Sequence, residues 1–158
     1  LVTGFNWKNF GLSMQWTGAW GVSRVLSDVF AKPFTSNSSQ SEGGLLAYHV
    51  QNTWTTENPS QNAKYPRATW DAAGNNYRGS TLFEVNSSYL RLKSMDISYN
   101  LNLPFMERIN MNSCVLSLSV YNLLTFTDYI WGDPESRASN APTYPLQKSY
   151  SLSLKVGF

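Results

Sequence analysis

Large apolar residues alternate with small or polar ones along this chain, in runs longer than an ordinary soluble strand needs. Phe10, Leu12, Met14, Trp16, Gly18, Trp20 and Val22 are interleaved with Gly11, Ser13, Gln15, Thr17, Ala19 and Gly21. A period of two puts the two sets on opposite faces of a β-strand. This alternation holds for about thirteen residues, whereas soluble strands usually run about five or six. Tyr150, Leu152, Leu154, Val156 and Phe158 repeat it against serines, Lys155 and Gly157. Met95, Ile97, Tyr99, Leu101 and Leu103 do so against Ser94, Asp96, Ser98, Asn100 and Asn102, and Leu116, Leu118 and Val120 against Ser117, Ser119 and Tyr121. Leu1, Thr3, Phe5 and Trp7 read as the end of another strand. The pattern predicts strands near 1–7, 10–24, 89–103, 112–126 and 149–158.

The connections alternate as well. Lys8-Asn9 makes a tight turn, and a short turn containing Pro104 and Asn110 joins the third and fourth strands. Two long segments, about 25–88 and 127–147, join the others. Short turns on one side and long loops on the other are the asymmetry of an outer-membrane barrel, in which a tilted strand of about ten residues covers an apolar band of roughly 25 Å. With the C-terminus periplasmic, both long segments fall on the extracellular side. Trp7, Phe10, Phe105 and Phe158 then gather near one interface, and Trp20 and Tyr89 near the other, as aromatic girdles do.

Composition sharpens this picture. Charged residues make up 14% of the chain and aromatic ones 15%, where about 25% charged is usual for a soluble domain. The polar strand faces carry Ser, Thr, Asn, Gln and Gly, which suit a hydrated lumen better than bulk solvent. The net charge of +2 comes with no basic run, so nucleic acid is not a partner. No stretch of about 18 apolar residues is present, so no transmembrane helix is expected. The single Cys114 cannot form an internal disulfide and reads as a small filler. The fold class is therefore all-β: about five antiparallel strands of a large transmembrane up-and-down barrel. Five strands cannot close such a barrel, and open edges cannot face hydrocarbon. The expectation is that residues 1–158 form the C-terminal part of a longer barrel whose earlier strands lie outside the chain, with assembly from several copies as the alternative. No export signal opens at Leu1, so one is expected upstream or removed.

Several stretches narrow the class. Ala63-Lys64-Tyr65-Pro66-Arg67 after Glu57-Asn58-Pro59, then Ser88-Tyr89-Leu90-Arg91-Leu92-Lys93, resembles the C-terminal part of SusC-like (RagA-like) TonB-dependent outer-membrane transporters. Tyr121-Asn122-Leu123-Leu124-Thr125-Phe126-Thr127-Asp128-Tyr129, followed by Asp133-Pro134-Glu135, is similar in the same way, as is the ending from Tyr144-Pro145-Leu146 to Phe158. The matches keep the family's order across nearly the whole chain. The resemblance implies a plugged barrel of about 22 strands, of which these are about the last five, in the bacterial outer membrane. It implies a SusD-like lipoprotein over the extracellular mouth and energy from the TonB complex, engaged through a plug and N-terminal part absent here. It also implies contact with lipid and lipopolysaccharide, and active import of oligosaccharides or peptides. The alternating Tyr150, Leu152, Leu154, Val156 and terminal Phe158 resemble the signal read by the barrel-assembly machinery. A passive porin, a surface adhesin barrel and a soluble carbohydrate-binding β-sandwich are the competing readings.

The segment 25–88 is too long for a plain connection. Thr35 to Gly44 is Ser-, Asn- and Gly-rich and expected to be mobile, and Leu45 to Trp54 has room for a short helix. Trp54, Tyr65, Arg67, Trp70 and Tyr77, with Tyr129 and Trp131 on the other long segment, are the candidate ligand-binding residues, because aromatic faces stack on sugars and arginines bond polar ligands. The competing role, packing the loops against their surroundings, carries more weight for loop aromatics in general. Asp133 and Glu135 read as a structural turn around Pro134, and His49 as a lone loop histidine. No nucleophile elbow, P-loop, dinucleotide fingerprint or metal-ligand spacing is present, so neither catalysis nor a cofactor is expected.

Overall fold

The computed structural model describes residues 1–32, 45–69, 75–104, 106–136 and 144–158. The expected mobile stretch Thr35 to Gly44, and Trp70 and Phe105, lie outside the described residues. The chain divides into two compact units: Leu1–Trp20, Tyr89–Thr127 and Pro145–Phe158 form one, and Gly21–Ser88 with Asp128–Tyr144 form the other.

The first unit is a single antiparallel sheet of the kind the alternation predicts. Its strands are β1 (Val2–Trp7), β2 (Phe10–Ala19), β5 (Tyr89–Asn100), β6 (Ser113–Thr127) and β7 (Ser149–Gly157), side by side in that order; β3 (Ser23–Val25) and β4 (Glu84–Asn86) belong to the second unit. Register turns the linear alternation into rows across the sheet. Trp7, Phe10, Tyr99, Leu116 and Leu154 form one row, and Phe5, Leu12, Ile97, Leu118 and Leu152 the next. On the opposite face, Gly4, Ser13, Asp96, Ser119 and Ser151 are aligned, beside Asn6, Gly11, Ser98, Ser117 and Ser153. A shift of one residue in any pairing would mix the two faces, so the pattern itself fixes the register. On the polar face the Ser119 hydroxyl donates to Asp96 Oδ1 at 2.6 Å.

The apolar face is not the inside of a soluble core. Leu92, Val120 and Cys114 are buried, yet Leu152 is 72% and Leu154 60% exposed, and Phe5, Trp7, Leu116 and Phe126 are exposed too. The buried hydrophobic cluster lies entirely in the second unit. Large contiguous apolar surface of this kind requires a partner or a lipid phase. Trp20, 95% exposed at the end of the β2 run, is an indole of the sort that sits at a membrane interface.

Three departures from simple alternation have local causes. The strand expected over 10–24 stops at Ala19, because Gly21 takes a left-handed backbone (φ 69°) that turns the chain out of the sheet. The pairing shifts between Gln15 and Trp16 on β2 and between Leu92 and Ser94 on β5, with Lys93 as the extra residue relative to β2. That bulge brings Leu90 and Leu92 onto the face of Met95, Ile97 and Tyr99. The connection from Asn100 to Ser113 contains a 3-10 turn at Glu107–Ile109 and closes through Asn110 at φ 53°, a conformation asparagine tolerates better than most residues. The connection between β1 and β2 remains a tight turn, with Lys8 at φ 51°. Short and long connections alternate, so the short ones share one end of the sheet.

Two strand glycines give a local test. A Cβ at Gly18 would sit 2.7 Å from the Tyr89 carbonyl oxygen, which is backbone, whereas one at Gly11 would meet the movable Ser98 hydroxyl. Gly18→Ala is expected to cost about 1–3 kcal/mol and Gly11→Ala clearly less, read from denaturant midpoints of the assembled barrel. Equal costs would contradict the β2–β5 register.

The second unit is built differently. β3 (Ser23–Val25) pairs antiparallel with β4 (Glu84–Asn86), α1 spans Asp28–Ala31, and α2 spans Ala47–Asn52 within the stretch expected to hold a helix. Short 3-10 turns at Asn75–Tyr77 and Thr81–Phe83 complete it. Leu26, Phe30, Ala31, Tyr65, Tyr77 and Phe83 form its buried centre, with Tyr48, Val85 and Trp131 packed against them.

Candidate functional site

The chemistry-bearing residues concentrate in the second unit, and its organisation begins with an unsatisfied carbonyl. α1 is a single helical turn, and a helix leaves its last carbonyls without internal partners. The Phe30 carbonyl is one such group. The Tyr65 hydroxyl donates to it at 2.8 Å, and His49 Nε2 lies 3.1 Å from it. A carbonyl only accepts, so His49 carries its proton on Nε2. His49 is therefore no stray loop residue: it is 0% exposed, and its ring meets Tyr65 edge-on at 4.7 Å. Its Nδ1 is buried with no partner among the described residues. Burial, and then the nearby Tyr48, push the Tyr65 hydroxyl well above the ordinary tyrosine range, so it stays a neutral donor.

Trp131 joins this centre from the other long segment. Its ring lies 5.0 Å from Tyr48 in a T-shape and 5.3 Å from Phe30, arrangements that add to plain burial. Arg24 holds the same segment: its Nη2 donates to the Pro134 carbonyl at 2.8 Å and its guanidinium lies over the buried Tyr129 ring at 5.4 Å. Asp133 Oδ1 accepts the Glu135 backbone N–H at 2.8 Å, and the Ser136 N–H donates to the Asp133 carbonyl. The two carboxylate residues thus sit in a turn, with the Asp133 side chain closing it on the backbone. Among the described residues no three potential metal ligands gather.

A cleft of about 370 Å³ opens beside this centre, at the small end of ligand-site volumes. Backbone pairing sets one wall: the Trp54 N–H donates to the Tyr65 carbonyl at 3.0 Å, and the Tyr65 N–H to the Asn52 carbonyl at 3.1 Å. The intervening turn is closed by the Asn58 N–H to Thr55 Oγ1 and the Asn62 N–H to Ser60 Oγ. Trp54, Tyr65 and Arg67 therefore line one cleft, together with Ser60, Gln61 and Asn76. Tyr77 and Tyr129 are buried elsewhere in the unit, Trp131 packs on Tyr48, and Trp70 lies outside the described residues. Ser60, Gln61 and Asn76 carried no sequence signal, since polar residues in a non-periodic loop look alike until folding brings three separate stretches together.

Arg67 is exposed and makes no hydrogen bond or ion pair to any described residue. Its charge reaches Glu57, whose carboxyl is held below its ordinary range first by a backbone hydrogen bond and by the Thr56 and Thr55 hydroxyls, and least by Arg67. The cleft thus offers an aromatic face, an uncommitted guanidinium, two amides and a hydroxyl. That inventory suits polar ligands; it contains no nucleophile–base pair.

No family model matches the chain. TonB-dependent receptor P3 of Formosa agariphila is 28% identical over 175 aligned residues, covering 100% of this chain and 16% of the receptor. TonB-dependent receptor P26 of the same organism is 28% identical over 121 residues, covering 69% of the chain and 12% of the receptor. Among solved structures, the RagAB peptide importer in its open-open state aligns with TM-score 0.69 and 26% identity over 99% of the chain, and in its closed-closed state with 0.70 and 23%. The chain spans about a sixth of these proteins' length. The relatives are receptors and transporters, not enzymes. Whole-chain similarity, one antiparallel sheet and its uncovered apolar face converge on one likeness: the chain resembles a C-terminal segment of the barrel of SusC/RagA-like TonB-dependent transporters.

Proposed function

We propose that the protein carrying this chain imports oligosaccharides or peptides actively across the bacterial outer membrane, with a SusD-like surface lipoprotein as lid and the TonB complex as energy source. The observation that carries this reading is the five-stranded sheet, with large apolar rows left open on one face and a small, nearly uncharged polar face behind them. Such a sheet suits a wall between lipid and a hydrated lumen. Further strands beyond β1 and β7 close the barrel in this reading. The long segments then lie on the extracellular side, and the alternating Tyr150 to Phe158 strand serves assembly. The RagAB structures are of a peptide transporter, and that name supports the class of activity without choosing between peptide and glycan.

Growth on the imported nutrient tests it. Deleting the TonB-coupling system should abolish growth at low nutrient concentration, while the barrel remains assembled in the outer membrane. Unchanged uptake would mean passive permeation, and steady ion conductance of the purified protein in planar bilayers would identify a porin.

A further inference from the structure

We propose that the cleft beside Trp54 binds an acidic pyranose, a uronate unit of an oligosaccharide; this rests on the import reading above and names the substrate class of its site. Three features of the cleft converge on that chemistry. Trp54 supplies an indole, and the C–H faces of pyranose rings stack on such surfaces. Gln61, Asn76 and Ser60 supply both donors and acceptors, which neighbouring sugar hydroxyls can use. Arg67 supplies a guanidinium with no hydrogen-bond or ion-pair partner among the described residues, and its planar fork matches a carboxylate.

The same observations disfavour the alternatives. An extended peptide is usually held by pairing with a strand edge, but none of the sheet strands contributes a residue to this cleft. A neutral glycan would leave the guanidinium unused. Glu57 is the competing anion: it feels Arg67 from a fully exposed position and is not part of the cleft wall. A ligand carboxylate inside the cleft therefore competes with a weak, solvent-screened attraction.

The test uses the intact transporter, purified in detergent with its partner, and calorimetric titration with three probes. These are tetragalacturonate, its fully methyl-esterified form and tetraalanine with a free carboxylate. Tetragalacturonate should bind, and the neutral ester should bind at least about tenfold more weakly, as expected for losing a charged hydrogen-bond pair. Arg67→Gln should remove that difference by weakening tetragalacturonate alone. Trp54→Ala should weaken both glycans, and Glu57→Gln should strengthen tetragalacturonate about two-fold. Arg67 is exposed and unbonded, so its replacement leaves the fold intact; matching protease resistance confirms that. Absence of tetragalacturonate binding, an affinity indifferent to Arg67→Gln, or tetraalanine binding in its place overturns the inference. None of these outcomes touches the import reading, which fails only if uptake survives loss of TonB coupling.

Discussion

Replacing Leu118 with arginine is expected to cost about 2–4 kcal/mol of barrel stability, the range for arginine at the bilayer midplane of such barrels. Leu118 sits on β6 in the row Phe5, Leu12, Ile97, Leu118, Leu152, and its neighbours in that row are all large and apolar. A guanidinium there finds no carboxylate partner in the row and must draw water or headgroups inward. The adjacent Ser119→Arg points to the other face, beside Asp96, to which the Ser119 hydroxyl now donates a hydrogen bond. An arginine there gains a carboxylate and a hydrated surface, so its cost should stay below about 1 kcal/mol, as for ordinary surface changes. Equilibrium unfolding in lipid vesicles measures both. Equal costs, or a larger one at Ser119, would reverse the inside and outside of the sheet.

The second large effect belongs to the other unit. Tyr65→Ala is expected to destabilise it by about 3–5 kcal/mol, the usual cost of emptying a buried aromatic site. Tyr65 is 2% exposed, meets Tyr48, His49 and Phe83 through its ring, and caps the Phe30 carbonyl. Tyr65→Phe keeps the ring contacts and removes only the hydroxyl. Because His49 still serves the carbonyl, the loss should be about 1 kcal/mol, near the net worth of one hydrogen bond. Hydrogen exchange at the Trp54 and His49 amides reads the local opening energy, since both amides bond within this unit. Comparable exchange in Tyr65→Ala and the unchanged protein would remove Tyr65 from the role of keystone. The sheet should keep its protection in both variants.

The sheet was legible in the sequence because a period-two pattern states face and register together. The residues of the apolar face, Leu152 and Leu154 among them, could be written down from alternation alone, and the fold adds who stands opposite whom. Lys93 was harder. The change of phase between Leu92 and Met95 is visible in the letters, but it becomes a bulge only when β2 and β6 impose their register. The early end of β2 turned on Gly21, which the alternation treats as one more small residue.

The second unit was far less legible. Its centre joins Leu26, Phe30, Tyr65, Tyr77 and Phe83 across distant stretches with no shared period, so no window of sequence contains it. His49 illustrates the difficulty: its environment depends on one carbonyl left open by a four-residue helix nineteen positions earlier. Trp54, Tyr65 and Arg67 stood out as loop aromatics and a cation, and the fold brings these three to one cleft. Their polar companions were invisible for want of any pattern.

The central claim is that this sheet separates lipid from a hydrated lumen. Single nitroxide labels at Ser117, Leu118, Ser119, Ser151, Leu152 and Ser153, in outer-membrane vesicles with Cys114 replaced by serine, test it most directly. Collisions with oxygen should dominate at Leu118 and Leu152, and collisions with a water-soluble nickel chelate at the four serine positions. Labels at Leu118 and Leu152 shielded from both reagents would place the apolar face in a protein core, and the transmembrane wall would have to be given up.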